Sequence, residues 1–221
     1  MKLTDKQKRI IEEAYNRYLK YIEPEEQKLK YKNLEIALNE FKGKLRRWKA
    51  SDNVDFIIDF ALSKEAQIFA SVKVGQIFID DFKMFLNKKS IREELEKMIY
   101  YKFNIDDDAQ EHFSISKHDI IDFLEKQEKV DKEEFKLGRP KILTGRLVLM
   151  MFTELYTSIA DIDALKNVCK KLDNPFLKND RYLAKHRQIR CMTDTYLIEN
   201  NLYEGLTDLD RGRIGWFVTE I

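Results

Sequence analysis

Few residues in this chain are of the types that do covalent or metal chemistry. Among 221 residues there are three His and two Cys. Cys169 and Cys191 have neither a CxxC spacing nor a nearby His pair. They read as small buried or half-buried thiols, and no zinc site or disulfide framework is expected. Asp106, Asp107, Asp108, Glu111, His112 and His118 are metal-binding residue types, but their spacing fits neither an EF-hand nor a zinc pattern. This stretch reads as an acidic solvated loop. None of GxxxxGK[ST], GxGxxG, GxSxG or HExxH occurs, so no phosphate loop, nucleophile elbow or zincin helix is present. With 39 acidic residues, no carboxylate pair stands out. His186 falls on the inward face of its helix by the 100° count and reads as a hydrogen-bonded core histidine. The expectation is a non-enzymatic protein with no metal and no cofactor.

The remaining chemistry is electrostatic. The chain has 40 basic and 39 acidic residues and a net charge of only +1, yet the charges are unevenly placed. Residues 1–50 hold 14 basic and 8 acidic groups, residues 51–135 hold 12 and 20, and residues 136–221 hold 14 and 11. Within the last segment, residues 136–190 hold 12 basic against 5 acidic groups. Asymmetry of this kind bears on partners and association rather than on fold.

The elements that position these charges are helices. Apolar residues make up 43% of the chain, with 14 Phe, 10 Tyr and 2 Trp, so it can bury a core. There are only seven Gly and three Pro, about 4.5% together where roughly 12% is average. That shortage of turn formers predicts a few long helices. Met1–Glu13 is charged and helix-like, without the apolar stretch of a signal peptide. The longest purely apolar run is Leu147–Phe152, far short of the ~20 residues of a membrane span. The expected setting is the cytoplasm of a bacterium, or of a bacterial host carrying a virus.

Residues 4–49 read as a helical hairpin. Thr4 with Gln7 forms a capping-box pattern ahead of Ile10, Ile11, Ala14, Tyr18 and Ile22 at helical spacing. Pro24, Glu25 and Glu26 start a second helix, with Leu34, Ala37, Leu38, Phe41, Leu45 and Trp48 as its apolar stripe. Its end carries Lys42, Lys44, Arg46, Arg47 and Lys49. These either complement the helix C-terminus or form a docking patch for phosphate or an acidic partner surface. In the acidic middle, residues 51–135, helices are expected after Ser51 and Asp52, from Ser90 to about Phe103, and after Ser116. Residues 66–81 fit a helix or a hairpin around Gly75. The charge run Lys126–Lys136, followed by Gly138 and Pro140, makes 136–141 the expected linker between a helical domain at 1–135 and a C-terminal domain at 142–221.

The C-terminal domain reads as a helix from Thr144, a second capped by Ser158, a turn bracketed by Asn174-Pro175 and Asn179-Asp180, a basic helix over 180–201, and a strand over Arg213–Thr219. On the basic helix Tyr182, His186, Ile189, Thr193, Tyr196 and Leu197 share one side. Arg181, Ala184, Arg187, Gln188, Cys191 and Thr195 share the other, flanked by Lys185 and Arg190. Small and hydrogen-bonding side chains bordered by cations suit a major-groove helix: the cations neutralise phosphates while Arg or Gln reaches base edges.

This order of elements over residues 142–221 resembles the winged-helix class of DNA-binding domains. The resemblance implies that the basic helix enters the major groove, and that Arg211, Arg213 and Gly215 belong to a wing on the backbone or minor groove. Gly138-Arg139-Pro140-Lys141 is similar to the minor-groove arm preceding the helical domain of some recombinases. The expectation is a mainly α fold, an N-terminal helical hairpin or bundle plus a helical C-terminal subdomain closed by a short β wing. The expected function is DNA binding by a regulator or accessory factor of a phage or mobile element. Arg139, Lys141, Lys178, Arg181, Lys185, Arg187, Gln188, Arg190, Arg211 and Arg213 would touch duplex DNA, and the N-terminal helices would serve self-association. The alternative is an assembly or inhibitor protein gripping one protein partner, with Lys42, Lys44, Arg46 and Arg47 among its contacts.

Overall fold

A computed structural model of the chain describes residues 1–69, 79–104, 141–173 and 182–221. Nine α-helices occur among them: α1 (Asp5–Ile22), α2 (Glu25–Leu45), α3 (Asp55–Leu62), α4 (Ile79–Asn87), α5 (Lys89–Asn104), α6 (Lys141–Met151), α7 (Ile162–Leu172), α8 (Tyr182–Glu199) and α9 (Asp208–Phe217). Short 3₁₀ turns cover Glu65–Ile68 and Val218–Glu220. The fold is mainly helical, as composition implied. The expected linker at 136–141 and the acidic stretch 106–118 lie outside the described residues, except that Lys141 opens α6. The helix expected after Ser116 and most of the ambiguous 66–81 stretch also lie outside them.

One expectation is corrected. Among the described residues there is no β-strand, and the wing proposed at Arg213–Thr219 is the end of α9 and the closing 3₁₀ turn. Its aromatic and β-branched residues suggested a strand, but the local signals upstream favour a helix. The Thr207 side chain accepts from the Asp210 amide, and the Asp210 carboxylate accepts from the Thr207 amide at 2.8 Å, a reciprocal capping box. Asp208 and Asp210 add negative charge at the positive end of the helix dipole. Gly215, expected in the wing, and Gly212 instead let α9 press onto residues 156–158. A Cβ on Gly212 would lie 3.1 Å from the Tyr156 carbonyl oxygen, and one on Gly215 would lie 3.0 Å from Thr157 Cγ2.

The chain forms two compact units, Met1–Glu35 with Phe152–Ile221, and Ile36–Met151. In the first, α1 packs mainly on α9, with α7 and α8 beside it. The expected Thr4/Gln7 capping box forms. Gln7 Nε2 also donates 3.0 Å to the Leu172 carbonyl, satisfying the last turn of α7 from a distant part of the chain. Tyr18 packs against Tyr31 and edge-on to Phe217, and its hydroxyl donates to Asp210. Lys171 Nζ donates to the Val218 and Thr219 carbonyls at 3.2 and 2.8 Å, holding the C-terminal turn. Helix α7 is capped by Asp161 rather than Ser158. Of the residues between α6 and α7, 152–155 form turns and 159–161 are irregular. Helix α8 stops where Asn201 takes a left-handed conformation (φ 56°) and the Leu202 amide reaches back 2.8 Å to the Leu197 carbonyl.

In the second unit, Phe41 on α2 stacks on Phe60 of α3, ring centroids 4.3 Å apart. Trp48 Nε1 donates 3.1 Å to the Asn53 carbonyl, closing the turn after α2. Helix α6 packs on α3 and is buried on all sides through Leu143, Leu147, Val148, Leu149, Met150 and Met151, as its unbroken apolar run predicts. Arg146 lies within this apolar setting and donates 2.6 Å to the Ala61 carbonyl. Burial lowers its guanidinium pKa to about 10.

Candidate functional site

Helix α8 carries the charge pattern that the sequence singled out, and its two sides do different things. Leu183, His186, Ile189, Met192, Thr193, Tyr196 and Leu197 are buried. His186 is fully buried, with Nδ1 2.6 Å from Thr157 Oγ1 and its ring edge-on to Tyr182 at 4.5 Å. Desolvation lowers its pKa to about 3, so the imidazole is neutral. It is the core histidine that the helical count predicts. Tyr182, at the start of the helix, donates from its hydroxyl to the Ala160 carbonyl at 2.9 Å, fixing the helix against the turn before α7.

The opposite side of α8 holds Ala184, Arg187, Gln188 and Thr195, all half-exposed, and Cys191, exposed. Lys185 is half-exposed on the flank. From Tyr182 to Thr193 the helix contains no acid, and the first is Asp194. Arg187 and Gln188 are thus half-exposed on this side with Lys185 on its flank, and the carboxylates of α8, Asp194 and Glu199, come about two or more turns later.

Arg190 departs from this group. It is 2% exposed, and all its nitrogens are engaged. Nε donates to both Asp194 oxygens at 3.1 and 3.0 Å. Nη1 donates to the carbonyls of Thr153 (2.9 Å) and Asp208 (3.0 Å), with Tyr156 more distant at 3.4 Å. Nη2 donates to Asp208 Oδ1 at 3.1 Å. One guanidinium thus joins α8, the turn after α6 and the start of α9. A buried arginine needs this degree of satisfaction, because desolvating an unpaired charge costs several kcal/mol. Burial also pushes the Asp194 carboxyl above its ordinary value, against the pull of Arg190.

Arg211 and Arg213 are likewise used internally. Arg211 pairs with Asp208 and lies 4.1 Å over the Tyr203 ring. Arg213 is 8% exposed and sits 4.1 Å over Trp216, with Tyr21 and Phe217 within 6 Å. Burial lowers the pKa of both. Because the segment around Arg213 is a helix, neither residue belongs to a wing. A signal for Arg190 was present in the sequence: Asp194 follows it by four residues, the spacing of a helical ion pair.

Arg139, Lys178 and Arg181 lie outside the described residues, and Lys141 is the first residue of α6. At the end of α2, Lys42 is half-exposed and Lys44, Arg46 and Arg47 are exposed, with Arg46 lying 5.6 Å over the Phe103 ring. Lys49, beyond them, pairs with Glu96 at 3.4 Å. Among the described residues no group of three or more His, Cys, Asp or Glu is placed to hold a metal ion, and no helix is long and apolar enough to cross a membrane. Comparison with protein-family models, curated proteins and solved structures finds no match for this chain.

Proposed function

We propose that the chain binds duplex DNA through the outward side of α8. One observation carries this reading. Arg187 and Gln188 stand beside Ala184 and Cys191, with Lys185 on the flank, and the helix has no acid before Asp194. A helix of this composition combines phosphate-neutralising cations with two side chains able to read guanine or adenine edges, at a thickness that the major groove admits. The excess of cations in residues 136–190 supports the same reading. Arg190, Arg211 and Arg213 are withdrawn from it because their guanidinium groups are already committed inside the fold.

The test is a salt series of binding to a labelled mixed-sequence duplex. Affinity should fall linearly on a log–log plot, with a slope of about −0.9 per phosphate neutralised. The 260/280 nm absorbance ratio of the purified protein should also fall after a high-salt wash. Absence of binding at low salt overturns the reading.

A second reading, an assembly or inhibitor protein acting on an acidic protein surface, is favoured by the exposure of Lys44, Arg46 and Arg47 at the end of α2. It predicts a stoichiometric, nuclease-insensitive protein partner that is lost on Lys44→Glu with Arg47→Glu. Retention of the partner by that variant counts against it.

A further inference from the structure

We propose that Arg190 is the positioning residue of the α8 surface: it sets the pose in which Lys185, Arg187 and Gln188 are presented, and touches no nucleic acid itself. The inference rests on the reading of α8 as the DNA-facing helix. Arg190 lies two positions after Gln188 and faces the other way, 2% exposed. Its donors tie α8 to three separate backbone points, the Thr153, Tyr156 and Asp208 carbonyls, and to the Asp208 carboxylate, while Asp194 on α8 itself holds Nε. A planar guanidinium satisfies these acceptors in one orientation only, whereas a lysine ammonium can rotate and cannot span them. Gly212 completes the arrangement. A Cβ there would stand 3.1 Å from the Tyr156 carbonyl oxygen and 3.5 Å from Arg190 Nη1, so α9 is pressed against the clamp at that residue. Side chains held within about half an ångström of a productive geometry depend on such supporting contacts.

Two full-length variants test this. Arg190→Lys keeps the charge and loses the fork. Gly212→Ala changes no charge and crowds the Tyr156 carbonyl, which must give by a few tenths of an ångström. Each is first shown to be folded by circular dichroism at the assay temperature, and the salt series is then repeated. Positioning predicts that both variants bind duplex more weakly, by about tenfold, in the range for mutations that act on a site through packing. Their salt slopes should equal that of the wild type. In a further folded variant that removes the charge, Arg190→Gln, a slope shallower by about 0.9 would make Arg190 a phosphate contact and overturn the proposal. Wild-type affinity in either folded variant would make the clamp a stability feature only, and would overturn it equally. Failure of the wild type to bind duplex at all removes the DNA reading itself, a result separable from the other two because it appears before any substitution.

Discussion

The two compact units bury different kinds of side chain. Among the described residues of Ile36–Met151 the core is almost wholly apolar: Trp48, Ile57, Phe82, Phe85, Ile91, Leu95 and the length of α6, with Thr144 and Arg146 as the buried polar exceptions. The unit formed by Met1–Glu35 and Phe152–Ile221 instead buries Gln7, Thr153, Thr157, Ser158, His186, Arg190, Thr193 and Arg213 among its hydrophobic residues. An apolar core tolerates changes of shape at the cost of cavities, so its losses scale with volume removed. A polar core is directional. Each donor must meet its acceptor, and removing one partner leaves the other desolvated and unpaired. The unit proposed to face DNA is thus the one whose core fixes orientation as well as compactness.

The largest expected effect sets the two cores against each other. Arg190→Ala takes the donor from Asp194 and three carbonyls, while Asp208 keeps Arg211, and should cost about 3–5 kcal/mol in denaturant unfolding, as breaking a buried ion pair does. Leu95→Ala in the apolar unit should cost about 2–5 kcal/mol, the range for a cavity left by a fully buried leucine. A loss under about 1 kcal/mol for Arg190→Ala would break the comparison.

His186 sharpens it through pH. Its folded pKa, about 3, lies below the ordinary 6.5. Between these values the unfolded chain takes up a proton that the folded one does not. Stability is therefore full above about pH 6.5 and falls as pH drops toward 3, by about 1.4 kcal/mol per pH unit from this group. His186→Gln should flatten that part of the profile, read as the difference in unfolding free energy between about pH 7.5 and pH 5. An unchanged profile would mean that the imidazole is not held neutral.

Smaller effects come from the hydrogen bonds at the edges of the polar unit. Tyr18→Phe removes the donor that links α1 to the Asp210 cap of α9 and should lower stability by about 1 kcal/mol. Lys44→Glu, at an exposed position outside that unit, should shift stability by no more than about 0.5 kcal/mol, and a larger change would show the α2 end to be structural.

Local features were readable from the sequence where the signal is local. The Thr4/Gln7 box, the Pro24 start of α2, the all-round apolar α6 and the inward His186 each depend on residues within one or two turns. The end of the chain misled because Trp216, Phe217, Val218 and Thr219 are strand-prone types while the capping box that governs them begins at Thr207. Its two glycines act through close approach to residues 156–158, which only the tertiary fold reveals. Arg190, four residues after His186, shares the inward side of α8 by helical count, and what that count does not show is its acceptor Asp208, a residue of the next helix. Packing of α1 on α9 pairs residues about two hundred positions apart, which no local pattern encodes. The legible part of the candidate site is accordingly Arg187 and Gln188, whose half-exposed position follows from their angle on α8, whereas Lys185 shares its angle with buried Met192 and Tyr196.

The most direct test of the account is the salt dependence of duplex binding by Lys185→Ala/Arg187→Ala beside the wild type. Both side chains lie on the outward side or flank of α8, so stability should change by less than about 0.5 kcal/mol per substitution. The log–log slope should become shallower by about 1 for each phosphate contact removed, and affinity should fall across all sequences. Wild-type affinity with an unchanged slope would contradict the placement of the DNA contact on α8.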